Sequence, residues 1–185
     1  GAEVVAGTGR PWGDPKPSGK RYPLDSVRLL APVLPPTFYA AGLNYGQHLK
    51  HYAALGGAGA KIPTKPDIGY RAVNALTGHE APIVIPPDAG PHVHYEAELV
   101  VVIGRQAKHL SQADALSCVF GYTIGNDVSE RDWQKEDRTL WRSKNADTWK
   151  PMGPWIETDF DLERARTIVR VNGKTTVEFA TKDML

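Results

Sequence analysis

The sequence predicts a β-rich mixed α/β fold with a few short helices, on three observations. Residues His92 to Ile103 form an apolar run that carries two acids, Val119 to Ile124 form a second β-type run, and Ile168–Val171 and Thr175–Phe179 flank Asn172-Gly173. Asn-Gly between alternating apolar residues suits a type I′ turn, so the third is a hairpin signal. With 185 residues, the chain can build one domain with a substantial core plus a small appendage.

Taken in order, Gly7 to Lys20 is rich in Gly and Pro and reads as an irregular arm. Residues 1–36 are therefore an N-terminal arm and leading segment, and residues 37–185 hold the main domain. Thr37 to Gly42 is a short strand-like run. Asn44 is placed to cap a helix that carries His48, His51, Tyr52 and Leu55 and ends at Gly56-Gly57. Residues 56–69, dominated by Gly, Ala and Lys, read as a mobile connection able to act as a lid. Further on, Ser111-Gln112-Ala113-Asp114 resembles a capping box opening a short helix to Ser117, and Ser129 with Asp132 suggests another helix start.

Hydrophobic residues make up 41% of the chain and its net charge is +1, an ordinary globular composition without the basic excess that nucleic acid or an anionic membrane would select. A small molecule is the expected partner. One cysteine, Cys118, excludes an internal disulfide and a cysteine metal cluster. With no signal-peptide pattern and no apolar run long enough to span a bilayer, the expected location is the cytoplasm.

Side chains alternate along a strand, so Glu96 and Glu98 point the same way, with Val100 and Val102 continuing their row. Two positions span ~6.5 Å, within reach of a single cation, and unpaired buried carboxylates are costly. With Asp127 at the end of the next strand, three carboxylates suit Mg²⁺, Mn²⁺ or Ca²⁺, which prefer oxygen ligands. By the same alternation His92 and His94 share the face, and a His-x-His-x-Glu row holding iron or zinc, as in cupin-type barrels, is the competing reading. His48 with His51 is a candidate acid–base pair. The cationic run Arg138, Arg142, Lys144 and Lys150, interleaved with Trp141 and Trp149, suits a small anion, and Lys144 could neutralise an oxyanion.

These motifs, in order, resemble the fumarylacetoacetate hydrolase family. The matching pieces are Gly42-Leu43-Asn44-Tyr45 with His48, Tyr95-Glu96-Ala97-Glu98-Leu99, and Gly121 to Ser129. Arg131-Asp132-Trp133-Gln134, Lys144 with Asp147, Pro151 to Trp155, and Val171-Asn172-Gly173 follow them. The resemblance implies a mixed β-sandwich roll, commonly a homodimer. It implies Glu96, Glu98 and Asp127 as ligands for Mg²⁺ or Mn²⁺, Lys144, Gln134 and Arg131 at the substrate, and His48 activating water from a lid. The implied activity is metal-dependent cleavage of a C–C bond in a small acylpyruvate or fumarylpyruvate-like acid through an enolate. The same enolate would serve a decarboxylase or keto–enol isomerase of oxaloacetate-like or 2-hydroxydienedioate acids, and a non-catalytic metal or keto-acid binder is the non-enzyme alternative. Hydrolytic members commonly place a glutamate where this chain has His51, which offers no fixed negative charge to orient His48. Family members also continue beyond the position of Leu185, so residues 37–185 correspond to the family domain without its C-terminal part.

Overall fold

The structure is a computed structural model that describes residues 1–54 and 62–185, with the side chain of Tyr52 excepted. The expected helix end at Leu55 to Gly57 lies outside the described residues. In chain order the elements begin with strands β1 (Glu3–Thr8), β2 (Lys16–Pro23) and β3 (Tyr39–Gly42), helix α1 (Gly46–Ala54), then β4 (Asp67–Tyr70), β5 (Leu76–Thr77), β6 (Val93–His94) and β7 (Ala97–Ile103). They continue through β8 (Val119–Asn126), β9 (Ser129–Glu130), α2 (Arg131–Glu136), α3 (Trp141–Lys144), β10 (Lys150–Glu157), β11 (Arg166–Val171) and β12 (Lys174–Ala180).

The central sheet has the order β5-β10-β8-β7, parallel between β5 and β10 and antiparallel elsewhere. Its register places Glu98 opposite Gly125. A Cβ on Gly125 would lie 2.7 Å from Val100 Cγ2, so only glycine lets the two strands close beside Glu98. Trp149, fully buried, stacks against Trp133 of α2 with centroids 6.0 Å apart and anchors the two short helices to the start of β10. Leu49, Ala72, Ala75, Val102, Cys118, Val128 and Met152 are the other buried apolar side chains among the described residues. Val101, Ile103, Ile124 and Trp155 remain exposed on the strands of this sheet. Among the described residues, no helix is long and apolar enough to cross a membrane.

Several expectations need correction. The arm expected over Gly7 to Lys20 is largely the antiparallel hairpin β1–β2; its Gly and Pro are concentrated at the turn and at a register shift between Val5 and Gly7. Part of the expected lid, Asp67–Tyr70, is strand β4, paired with β3 and clasped by the Tyr39 and Tyr70 rings 5.0 Å apart. The segment after Ser111-Asp114 forms a 3₁₀ turn over Ala115–Cys118. Ser129 belongs to β9, and the Glu130 carboxylate caps α2 by accepting from the Trp133 amide. The hairpin at Asn172-Gly173 forms as expected, with both turn residues at positive φ.

The start of α1 is secured from the far end of the chain. The Gln47 amide donates to Asp183 Oδ2 at 2.8 Å, the Leu185 amide donates to the Asn44 carbonyl at 3.0 Å, and the Tyr45 ring meets Phe179 edge-on at 4.8 Å. Asp183 therefore does the work expected of Asn44, satisfying an amide that the helix itself leaves without a partner. Asp183→Ala is expected to cost about 1 kcal/mol in urea denaturation and to speed amide exchange at Gln47, while Asp183→Asn retains most of both.

Candidate functional site

Asp127 leaves the end of β8 almost fully buried, its amide donating to the Glu96 carbonyl at 2.9 Å. Arg71, just after β4, grips it through Nε to Oδ1 at 2.8 Å and Nη2 to Oδ2 at 2.7 Å. Lys150 Nζ stands 2.9 Å from Oδ1 and Lys144 Nζ 3.1 Å from Oδ2. Burial alone would raise this carboxyl group; the Arg71 hydrogen bonds and the charges of Lys150, Lys144 and Arg71 outweigh it and hold Asp127 well below the usual carboxylate range. Burial pulls Lys150 down to about 8 against the attraction of Asp127. Its ammonium also donates to the Val128 and Trp149 carbonyls at 2.9 and 3.1 Å, so all three of its donors are engaged.

Glu96, immediately before β7, accepts from Lys144 Nζ at 2.6 Å on Oε2 and from Arg131 Nη2 at 2.7 Å on Oε1. Arg131 also donates from Nη1 to Gln134 Oε1 at 2.8 Å and from Nε to His94 Nδ1 at 3.2 Å. Glu98 is different. Half-buried, it meets no hydrogen-bonding or ion-pair partner among the described residues. Burial first, then the charges of Glu96 and Asp127, push it up to about 8, with Lys144 and Arg71 pulling the other way. Tyr45 at the head of α1 is pushed up to about 12 by burial and by the charges of Glu98 and Asp183, which brings the helix start into the field of the same site.

Glu96, Glu98, Asp127, Lys144, Arg131 and Gln134 are thus brought to one place. His48 and His51 lie exposed on α1, without hydrogen-bond partners among the described residues. The expected continuous strand from His92 is interrupted between β6 and β7, and the two histidines turn to other partners: His92 Nδ1 to Asp132 Oδ2 at 2.6 Å, His94 to Arg131. The His-x-His-x-Glu row for iron or zinc is therefore not formed. Of the cationic run, Lys144 and Lys150 enter the site, while Arg142 pairs with Asp88 and lies 4.1 Å over the Trp133 ring. Arg71 escaped the sequence reading because it follows the segment read as a mobile connection; the alternation in Asp67-Ile68-Gly69-Tyr70 was the signal that it sits at a strand end.

As arranged, no group of three His, Cys, Asp or Glu among the described residues stands ready to enclose a metal ion. The chemistry of the donor set nevertheless fits a hard cation, being all carboxylate, with Glu98 unpartnered beside two other acids. Asp127 already uses four lone-pair directions, so to bind an ion it must release one cation, and Lys144, shared with Glu96, is the least tied of the three.

The sequence profile of the fumarylacetoacetate (FAA) hydrolase C-terminal domain matches residues 37–185, and that of the Rv2993c-like N-terminal region matches residues 1–32. Protein Rv2993c of Mycobacterium tuberculosis is 44% identical over 165 residues, 86% of this chain and 59% of that protein. The oxaloacetate tautomerase YisK of Bacillus subtilis is 34% identical over 169 residues, 89% of this chain and 55% of its own length. The chain thus spans little more than half the length of these relatives. Among solved structures, 5-carboxymethyl-2-hydroxymuconate delta-isomerase from Mycobacterium smegmatis superposes with a TM-score of 0.87 at 38% identity, covering 98% of this chain and 68% of that one. Maleylpyruvate hydrolase from Sphingobium sp. SYK-6, in complex with manganese(II) and pyruvate, gives 0.71 at 30% identity, covering 89% and 56%.

Two outcomes are expected of this arrangement. Arg71→Met strands part of a buried charge and should cost about 3–5 kcal/mol in urea denaturation. Glu98 binds a proton in the folded chain up to about 8 but loses it near 4.5 when unfolded. Its contribution to stability is therefore complete below about pH 4.5 and is lost as the pH rises to about 8. Chelator-treated protein should lose stability over that window, and Glu98→Gln should flatten the loss.

Proposed function

The chain belongs to the fumarylacetoacetate hydrolase family, and from that premise we propose that it is a divalent-metal-assisted tautomerase or isomerase of a small dicarboxylic keto acid, oxaloacetate-like or a 2-hydroxydienedioate. The hydrolytic reading put first from the sequence gives way to the isomerase alternative set beside it. Relatives and structural neighbours that carry a tautomerase or isomerase name support that order. The observation that carries the reading is the placement of the buried Lys144 ammonium between Glu96 and Asp127, beside an unpartnered Glu98. That is a place built to hold an oxyanion against fixed charge, which is what an enolate requires.

Glu96, Glu98 and Asp127 are the residues that would hold Mg²⁺ or Mn²⁺. When bound, such an ion supplies Lewis acidity that favours the enolate over the ketone. With its Asp127 contact given up to the ion, Lys144 would keep Glu96 on one donor and offer the other two to the developing oxygen. Arg131 has five N–H groups, three of them committed, and offers the other two to a substrate carboxylate. Gln134 accepts from Arg131 through Oε1, which leaves its amide NH₂ to donate. His48 carries the proton between C3 and the enol oxygen. No water attacks and no carbon–carbon bond breaks, so the lack of a fixed acid beside His48 does not count against this reaction as it does against hydrolysis.

The test is ketonisation of enol-oxaloacetate, followed by ultraviolet absorbance with Mg²⁺ or Mn²⁺ present. Lys144→Met is expected to slow it at least about 100-fold and His48→Ala about 100-fold or more. Cleavage of acylpyruvates, with oxaloacetate ketonising at the buffer rate, would overturn the proposal. Hydrolysis is the second reading, favoured by the likeness to a maleylpyruvate hydrolase. On that reading His51→Glu should raise acylpyruvate turnover, by supplying His48 with the charge it lacks.

A further inference from the structure

Neither histidine of the His92-Val93-His94 pair enters the chemistry above, yet each is fixed by one hydrogen bond through its Nδ1. The bonds demand opposite assignments. Asp132 Oδ2 is an acceptor, so His92 Nδ1, 2.6 Å away, must donate to it. Arg131 Nε is a donor and stays protonated, so His94 Nδ1, 3.2 Å away, must accept. Any proton on a neutral His94 therefore sits on Nε2.

The consequence falls on Arg131. Its guanidinium is planar, and each nitrogen serves a different acceptor: Nε serves His94 in β6, Nη1 serves Gln134 in α2, and Nη2 serves Glu96 ahead of β7. Gln134 rides on the same helix as Arg131 and moves with it, and Glu96 is shared with Lys144. His94 alone of the three stands on the strand paired with β9, where the Arg131 amide also donates to the His92 carbonyl at 3.0 Å. His94 thus ties the side chain of Arg131 to the segment that already holds its backbone.

We propose that His94 is a positioning residue, whose Nδ1 accepts from Arg131 Nε and so aims the two uncommitted N–H groups of Arg131 at a substrate carboxylate. The proposal rests on the reading of Arg131 as the carboxylate donor. It requires an acceptor at the Nδ1 position of the ring and not at the Nε2 position, a distinction that two amides can make. In His94→Asn the carbonyl oxygen falls near where Nδ1 was; in His94→Gln it falls near Nε2; His94→Ala has no acceptor.

His94 is exposed, so all three variants should fold, which near-ultraviolet circular dichroism checks. The experiment reads two quantities in each: the exchange rate of the Arg131 Nε–H proton in ¹H–¹⁵N spectra, and KM against kcat for enol-oxaloacetate with Mn²⁺. The expected result is slow Nε–H exchange in the wild type and in His94→Asn, with exchange faster by at least about tenfold in His94→Gln and His94→Ala. KM should rise about tenfold in those two, equivalent to about 1.4 kcal/mol, with kcat within about threefold. An Nε–H proton that exchanges equally in wild type and His94→Ala, or His94→Gln matching His94→Asn, would overturn the proposal. So would a fall in kcat with KM unchanged. If the wild type fails to ketonise oxaloacetate, the functional reading falls, and the Nε–H exchange series still decides whether His94 orients Arg131.

Discussion

One buried carboxylate governs this structure. Asp127 draws Arg71 from the end of β4, Lys144 from α3 and Lys150 from the start of β10 onto the end of β8, so four elements are fixed by reference to a single side chain. Attraction between unit charges 4 Å apart is worth about 4 kcal/mol at an effective dielectric of 20, and desolvation takes back several kcal/mol per ion. The cluster therefore adds little net stability. It makes every other pairing of these strands costly, because a slip would leave a charge buried alone, and in that sense it specifies the fold.

The same saturation divides the labour among the acids. Asp127 is held by three cations, Glu96 is shared between Lys144 and Arg131, and Glu98, without a partner among the described residues, is pushed up to about 8. Arg71, Arg131, Lys144 and Lys150 gather around Glu96 and Asp127, so cationic side chains are concentrated here although the chain as a whole is nearly neutral. An incoming anion meets a local field that composition does not reveal.

Where residues act through neighbours in sequence, the sequence was readable. The acids of β7, the run of β8 and the Asn172-Gly173 turn follow from alternation and turn chemistry, and the convergence of Glu96, Glu98 and Asp127 follows from two adjacent strands. What escaped reading acts at a distance or against local propensity. Gly and Pro disguised the β1–β2 hairpin because they mark its turn and bulge as strongly as they would mark a disordered arm. Arg71 reads as a loop residue until its partner, 56 positions away, is known. The capping signal at Ser129 was displaced by one residue because Glu130 is long enough to reach the Trp133 amide itself.

The anchoring of α1 by Asp183 ties the two histidine-bearing turns to residues 136 positions later in the chain. A helix of nine residues is marginal alone, and closing so long a loop is entropically slow. During synthesis from the N-terminus, then, the segment bearing His48 leaves the ribosome early and waits for its cap. The cluster around Asp127 can assemble as soon as Lys150 has emerged, whereas α1 gains its anchor only once Asp183 and Leu185 have followed. The Asp127 cluster first and the His48 helix second is a folding order written into the contacts themselves.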